Sequence, residues 1–315
     1  MTIETATTNS VTTNSVAETA AGPGKVTFIG AGPGAADLIT LRGARAIGEA
    51  DIVIWASSLV QEEILQHAKP GAEIVDSAAL PIEGVLPYYE QAAAGGLRVA
   101  RVHSGDPALW GAVQEQLDRA SELGLEVEIV PGVSAFSAVA ALAQRELTIP
   151  QVAQSVILTR LEGGKTPMPP GESIRAFAAH GTTMAVFLSA ARSGQLAAEL
   201  LAGGYAPETP VIVASRATWP DGELAHCTVA TLEETVKARK LWKHTLFLVG
   251  PALAAHGTRS HLYHPGHFHG HRRADPAARV RLRANGTASG ATSGTVSGTA
   301  TTSGEARQAA LPDPK

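Results

Sequence analysis

The sequence predicts an α/β fold of two α/β domains, an N-terminal one on a mainly parallel sheet and a C-terminal one on a mixed sheet, with a cleft between them. Three observations carry this. First, three apolar or β-branched runs stop abruptly at glycine or at proline–glycine: Val26-Thr27-Phe28-Ile29-Gly30-Ala31-Gly32-Pro33-Gly34, Arg101-Val102-His103-Ser104-Gly105-Asp106-Pro107, and Val127-Glu128-Ile129-Val130-Pro131-Gly132-Val133-Ser134-Ala135. Such a run reads as a parallel strand that delivers a loop to the carboxyl edge of a sheet, where open α/β folds put ligands. Three such edges imply one shared cleft. Second, strand and helix patterns alternate from Lys25 to about Ile149. Third, Pro150 ends that rhythm, and the remainder is richer in strand.

In chain order, apolar strands are expected at 25–30, 51–55, 73–76, 98–103 and 126–130, with helices near 40–49, 60–68, 82–95, 108–123 and 133–143. This is the βαβ rhythm of a sheet covered on both faces. Thr40 is a candidate N-cap for the first helix, because Ala35–Ile39 shows no clean helical face. Leu109, Trp110, Val113 and Leu117 share helical spacing and read as core. Beyond Pro150, Val156–Arg160 is a strand, Gly163–Gly171 a Gly/Pro-rich loop, and 183–189, 210–217, 224–230 and 244–249 further strands, with a helix at 231–239 between the last two. The boundary is expected within 145–156, giving domains at 25–150 and 151–270.

Residues 1–24 and 271–315 are expected to be disordered tails, since Thr, Ser, Asn, Ala and Gly dominate them and offer little to bury. Charged residues are 17 % of the chain and the net charge is −4, which excludes a global basic field for nucleic acid. The single cysteine, Cys227, excludes an internal disulfide framework and any cysteine-clustered metal site. With no apolar run resembling a signal core or a membrane span, a cytoplasmic setting without membrane partners is expected.

Gly30-Ala31-Gly32-Pro33-Gly34-Ala35 satisfies the dinucleotide fingerprint G-x-G-x-x-G/A. A nicotinamide-dependent oxidoreductase is therefore one alternative, and a tight turn without a ligand another. Against the first, Pro33 lacks the N–H a pyrophosphate would need. The second strand also runs into Ala56-Ser57-Ser58 with no acid for a ribose. A loop lining a cleft is the favoured reading.

The order VTFIGAGPGAADLIT, RVHSGDPALWG, VEIVPGVSA resembles the tetrapyrrole (precorrin and uroporphyrinogen) methylase family over about residues 25–265. Within it, the chain is most similar to precorrin-4 C(11)-methyltransferases. Trp55-Ala56-Ser57-Ser58-Leu59-Val60, Val156-Ile157-Leu158-Thr159-Arg160, Thr166-Pro167-Met168-Pro169, Phe187-Leu188-Ser189-Ala190 and Arg216-Ala217-Thr218-Trp219-Pro220-Asp221 add to the match. Leu161-Glu162-Gly163-Gly164-Lys165 departs from it, where the family more often has a shorter, arginine-containing turn.

The resemblance implies transfer of a methyl group from S-adenosylmethionine to a tetrapyrrole carbon, in an active site between the domains of a homodimer, with no metal required for catalysis. It implies donor contacts at Pro33, Ser104, Gly105, Asp106, Ser134, Ala135, Leu188, Ala217 and Thr245. The acceptor is rich in carboxylates, so Arg160, Arg192 and Arg216 are candidate substrate-binding residues. Asp106 and His103 are both candidate bases, with water or the substrate itself as alternatives, and Asp106 is also a candidate helix N-cap ahead of Pro107. Whether the substrate carries cobalt, or a sister ring carbon is methylated, stays open. His256, His261, His264, His267, His269 and His271 form a His-rich stretch read as a solvated tail, since no helical pair of ligands is expected there.

Overall fold

The computed structural model describes residues 22–163, 167–268 and 270–277. The outer parts of both expected tails, residues 1–21 and 278–315, lie outside the described residues. Both sheets belong to one compact unit ending at Gly257, and the chain from Thr258 forms a second, smaller unit.

The first sheet contains β1 (Lys25–Gly30), β2 (Ile52–Trp55), β3 (Glu73–Asp76), β4 (Arg98–His103) and β5 (Glu126–Val130) in the order β3-β2-β4-β1-β5. Every pairing is parallel. Helix α1 (Leu41–Glu49) begins where the sequence predicts, the Thr40 hydroxyl accepting the Gly43 N–H at 3.1 Å. Helix α2 (Ile82–Gly95) stops at Gly96, whose φ of 64° turns the chain out of the helix. Helices α2 and α3 (Val113–Glu122) cover Val26, Phe28, Ile52 and Ile54 on one face. On the other face, α1 and a 3₁₀ turn at Glu62–His67 cover Ile29, Val53 and Val102.

The helix expected over 108–123 starts only at Val113. Trp110 and Ala112 have φ of 53° and 48°, a left-handed backbone through which a right-handed helix cannot run. Val113 and Leu117 still pack in the core, but Leu109 and Trp110 are displaced onto the wall of a cleft. Asp106 likewise opens a turn rather than capping a helix: its carboxylate accepts the Ala108 N–H at 2.8 Å.

The second sheet contains β6 (Val156–Arg160), β7 (Thr183–Phe187), β8 (Pro210–Ser215), β9 (Glu223–Thr228) and β10 (Thr245–Val249) in the order β6-β7-β10-β8-β9. Only β6 and β7 are parallel, so the sheet is mixed. Its side chains alternate with period two. Met184, Val186, Val213 and Phe247 face α5 (Ile174–Ala178), α6 (Ser193–Ala202) and α7 (Leu232–Arg239). Ala185, Ile212, Ala214, Leu246 and Leu248 face the other way, against Val139 and Ala140 of α4 (Ala135–Leu142). Helix α4 thus leaves the first sheet and seals the second. Each large apolar side chain so buried contributes roughly 1.5–3 kcal/mol.

The smaller unit holds a 3₁₀ turn at His261–Tyr263, opened by the Ser260 hydroxyl, which accepts the Leu262 N–H at 3.2 Å. Arg272 donates to the Leu262 and His264 carbonyls at 2.5 and 3.1 Å. The His261 and His264 rings stand 6.3 Å apart. Among the described residues no three His, Cys, Asp or Glu side chains are grouped to hold a metal, and no helix is long and apolar enough to cross a membrane. His269 lies outside the described residues.

Candidate active site

The strand order makes β4, β1 and β5 adjacent, and the register pairs Gly30 with His103 and Ile29 with Val130, so the three strands end level. Their loops therefore emerge side by side at the carboxyl edge. Gly32 and Gly105 bridge two of them, with N–H···O bonds of 3.3 and 2.7 Å. A Cβ on Gly132 would stand 2.1 Å from the Gly105 oxygen, and one on Gly30 would stand 2.5 Å from Gly132. The glycines are there so that the loops can pack on one another. The Gly32 and Ala31 N–H groups are already spent, on the Gly105 and His103 carbonyls, which removes donors that a pyrophosphate would require. Asp106 ties the third loop in, its second carboxylate oxygen accepting the Gly132 N–H at 3.1 Å.

The second sheet supplies the facing wall through three adjacent strand ends: the C-terminal ends of β7 and β8 and the N-terminal end of β10 between them. At each end sits a non-glycine residue with left-handed backbone: Leu188 at φ 52°, Arg216 at 49° and His244 at 48°. Such residues are uncommon and mark functional positions when they cluster. They also explain why the strands expected to reach 189 and 217 stop at Phe187 and Ser215. Side-chain bonds fix the turns. Ser189 donates to the Phe187 carbonyl at 2.6 Å and accepts the Leu161 N–H at 2.9 Å. Thr245 donates to the Leu241 carbonyl at 3.0 Å. The two walls are joined at Ala35, whose N–H donates to the Thr218 hydroxyl at 2.9 Å, and a Cβ on Gly34 would meet Trp219 at 2.3 Å.

Between the walls lies a cleft of about 440 Å³, a size suited to a small organic ligand. All nine residues expected to contact a donor line it: Pro33, Ser104, Gly105, Asp106, Ser134, Ala135, Leu188, Ala217 and Thr245. Gly105, at φ 64°, has only the Ala135 nitrogen within 4 Å of where a Cβ would be, so the missing side chain leaves room there while its N–H and C=O stay bonded to Gly32. Leu188 is 71 % exposed, an apolar side chain held out into the cleft. These small residues and the uncovered apolar surface fit an adenosyl group carrying an amino-acid arm.

Three titratable side chains are on the wall: Asp106, Arg216 and His244. Arg216 is ion-paired with Asp221 and lies over the Trp219 ring, 5.5 Å from its centroid. The His244 ring meets Trp219 edge-on at 5.4 Å, and burial, then the nearby Arg216 and Lys243 charges, hold its pKa below the usual imidazole value. Of the other candidates, His103 does not reach the wall. It is 9 % exposed behind the loop, with its ring 5.9 Å from Phe28. Burial, then the Arg101 charge, pushes its pKa down to about 3, and its Nε2 has no hydrogen-bond partner. Arg192 borders a neighbouring hollow instead, and Arg160 lines neither the cleft nor that hollow. Arg160 donates to the Pro167 carbonyl at 3.4 Å and Arg192 to the Leu161 carbonyl at 3.4 Å. The sequence reading missed His244, Trp242 and Leu59, which also line the cleft, and misassigned Trp110, whose ring lies 4.7 Å from Phe187. No spacing signal exposes them; an aromatic beside a lysine or a strand start looks like any loop residue.

Residues 25–233 match the family model for tetrapyrrole (corrin/porphyrin) methylases. The precorrin-4 C(11)-methyltransferase of Mycobacterium tuberculosis is 44 % identical over 239 residues, covering 76 % of this chain and 95 % of that protein. Among solved structures, a cobalt precorrin-4 methyltransferase described as a cobalamin biosynthetic enzyme superposes with a TM-score of 0.71 at 40 % identity, over 73 % of this chain and 96 % of that one. The uroporphyrin-III C-methyl transferase of Thermus thermophilus, solved with S-adenosylhomocysteine, gives 0.61 at 27 % identity over 73 % of this chain and 94 % of that one. With a match that carries the first wall and the Leu188 and Arg216 turns of the second, the chain belongs to the tetrapyrrole (corrin/porphyrin) methylase family.

Proposed function

We propose that this protein methylates carbon 11 of precorrin-4, giving precorrin-5, with S-adenosylmethionine as donor, in cobalamin biosynthesis. The observation that carries the reading is the convergence of all nine expected donor contacts on one cleft, in a chain 44 % identical to a precorrin-4 C(11)-methyltransferase. S-adenosylmethionine supplies a methyl group already activated by a positive sulfur. The chain's own task is then positioning, an effect able to supply roughly 7–11 kcal/mol. Ser104, Gly105, Ser134 and Ala135 give the donor a wall of small residues on the first side, while Leu188, Ala217 and Thr245 cover it from the second. Asp106, with both oxygens taken by N–H groups, holds the loops in register. Arg216 presents a guanidinium for an acceptor carboxylate, Arg192 serves the substrate's periphery from the adjoining hollow, and Arg160, bonded to the Pro167 carbonyl on that hollow's rim, supports it. We also propose that the enzyme works as a cytoplasmic homodimer and needs no metal for catalysis; sedimentation and turnover in chelator check these two points.

A cobalt-precorrin-4 substrate is the second reading, favoured by the likeness to the cobalt precorrin-4 methyltransferase. One experiment tests both: isotopically labelled S-adenosylmethionine with an enzymatically prepared precorrin-4 pool, with and without cobalt, the label located by NMR. Label at carbon 11 is expected, and the preferred pool assigns the substrate form. Label elsewhere moves the enzyme to a sister step, and no label with no S-adenosylhomocysteine binding overturns the proposal.

A further inference from the structure

We infer that His244 is the proton acceptor of the methyl transfer, an inference that rests on the methylase reading above. Forming the new C–CH₃ bond uses an electron pair of the macrocycle, while the S–CH₃ pair returns to sulfur, leaving a neutral thioether. The macrocycle is left one positive charge, which it discharges by losing a ring proton to a base, the bonding pair staying behind to restore its conjugation. A base within reach of the acceptor has to stand on the cleft wall.

The three titratable groups on that wall are not equivalent. Asp106 already accepts two main-chain N–H groups, at 2.8 and 3.1 Å, and is committed to holding the loops. Arg216 is a permanent cation paired with Asp221. His103, the other candidate from sequence, is buried behind the loop and does not line the cleft. That leaves His244. Its left-handed backbone, φ 48°, aims the residue from the start of β10, and the Trp219 ring supports the imidazole edge-on at 5.4 Å. The Ser58 main chain is close enough to favour the protonated ring slightly. The charged groups facing His244 are Arg216 and Lys243, which disfavour the imidazolium, and Asp221, which favours it. Although His244 is exposed, partial desolvation and the two cations together outweigh Asp221 and favour the neutral ring. After the step, the imidazolium sits beside two cations and releases its proton to solvent.

The test is the pH–rate profile of the wild type beside His244→Asn and His244→Gly, two residues that tolerate a left-handed backbone, with S-adenosylhomocysteine affinity measured in parallel. The wild type should lose kcat on the acid side with unit slope. His244→Asn should lower kcat about 10²- to 10⁴-fold, abolish that acid limb and leave S-adenosylhomocysteine affinity within about threefold, while added imidazole partly restores His244→Gly. Three results overturn the inference: a variant that keeps both its kcat and its acid limb, a kcat loss matched by an equal loss of S-adenosylhomocysteine affinity, or no imidazole rescue in a variant that unfolds at the wild-type temperature. A wild type that methylates no tetrapyrrole pool overturns the underlying reading, and this inference with it, so the two failures are told apart.

Discussion

Leu188 separates the cost of a strained backbone from the value of a ligand contact. Its φ of 52° costs a residue with a Cβ about 1–2 kcal/mol, and its side chain is 71 % exposed, so the fold gains little from it. Glycine at this position removes the strain but gives the unfolded chain more freedom, about 0.5–1 kcal/mol. Leu188→Gly should therefore match or exceed the wild type in stability by up to about 1 kcal/mol. Leu188→Ala keeps the strain and should stay within about 0.5 kcal/mol of the wild type. Both lose the apolar cover a bound donor would receive. Scaling the roughly 1.5–3 kcal/mol of a fully buried leucine by the exposed share gives about 1–2 kcal/mol, or roughly 5- to 30-fold weaker S-adenosylhomocysteine binding. Denaturant melts and titration calorimetry on the two variants read both quantities. Unchanged affinity, or a loss of more than about 2 kcal/mol of stability in Leu188→Ala, would refute the placement of this side chain as cleft surface.

Gly132→Ala should be severe, because a Cβ 2.1 Å from the Gly105 carbonyl forces the loops apart; we expect a loss of at least about 3 kcal/mol in chemical denaturation, and a variant as stable as the wild type would contradict the packing. Asp106→Asn leaves one acceptor and turns an NH₂ toward the Ala108 or Gly132 N–H, so stability should fall by about 1–3 kcal/mol, with S-adenosylhomocysteine binding weakened as the loops loosen. His103 gives a pH signature: its folded pKa of about 3 lies below the ordinary 6.5, so the unfolded chain takes up a proton first as pH falls. The stability it contributes is full above pH 6.5 and is lost between 6.5 and about 3, amounting to a few kcal/mol at most. Denaturation midpoints of the wild type and His103→Gln across pH 7 to 4 should diverge accordingly, and parallel curves would show that His103 is hydrated in the folded protein.

The first sheet was legible almost strand by strand, because β1 and β2 are near-continuous apolar runs and β4 and β5 carry β-branched residues up to a glycine- or proline-bearing stop. The cleft was legible for the same reason, since three glycine-bearing strand ends converge wherever β4, β1 and β5 are neighbours. The second wall was harder to read. Helix α6 was missed because it opens with Ser193-Gly194 and buries only Ser193, Leu196 and Leu200, too narrow a stripe to stand out. The left-handed residues Trp110, Leu188, Arg216 and His244 carry no marker, since the usual sign of positive φ is glycine or asparagine and none of them is either. Their conformation is imposed by the turns around them, so the side chains they aim into the cleft could be found only in three dimensions.

Helix α4 has a consequence for how autonomous the two halves are. It is encoded with the first sheet, yet its Val139 and Ala140 complete the layer over Ala185, Ile212, Leu246 and Leu248. A chain severed near residue 150 would leave the second sheet with a bare apolar face and the first half with an orphaned helix. The halves should therefore unfold together, since one compact unit holds both sheets and α4 is the layer they share. Opening the site to admit a bulky macrocycle therefore falls to the loops at its rim.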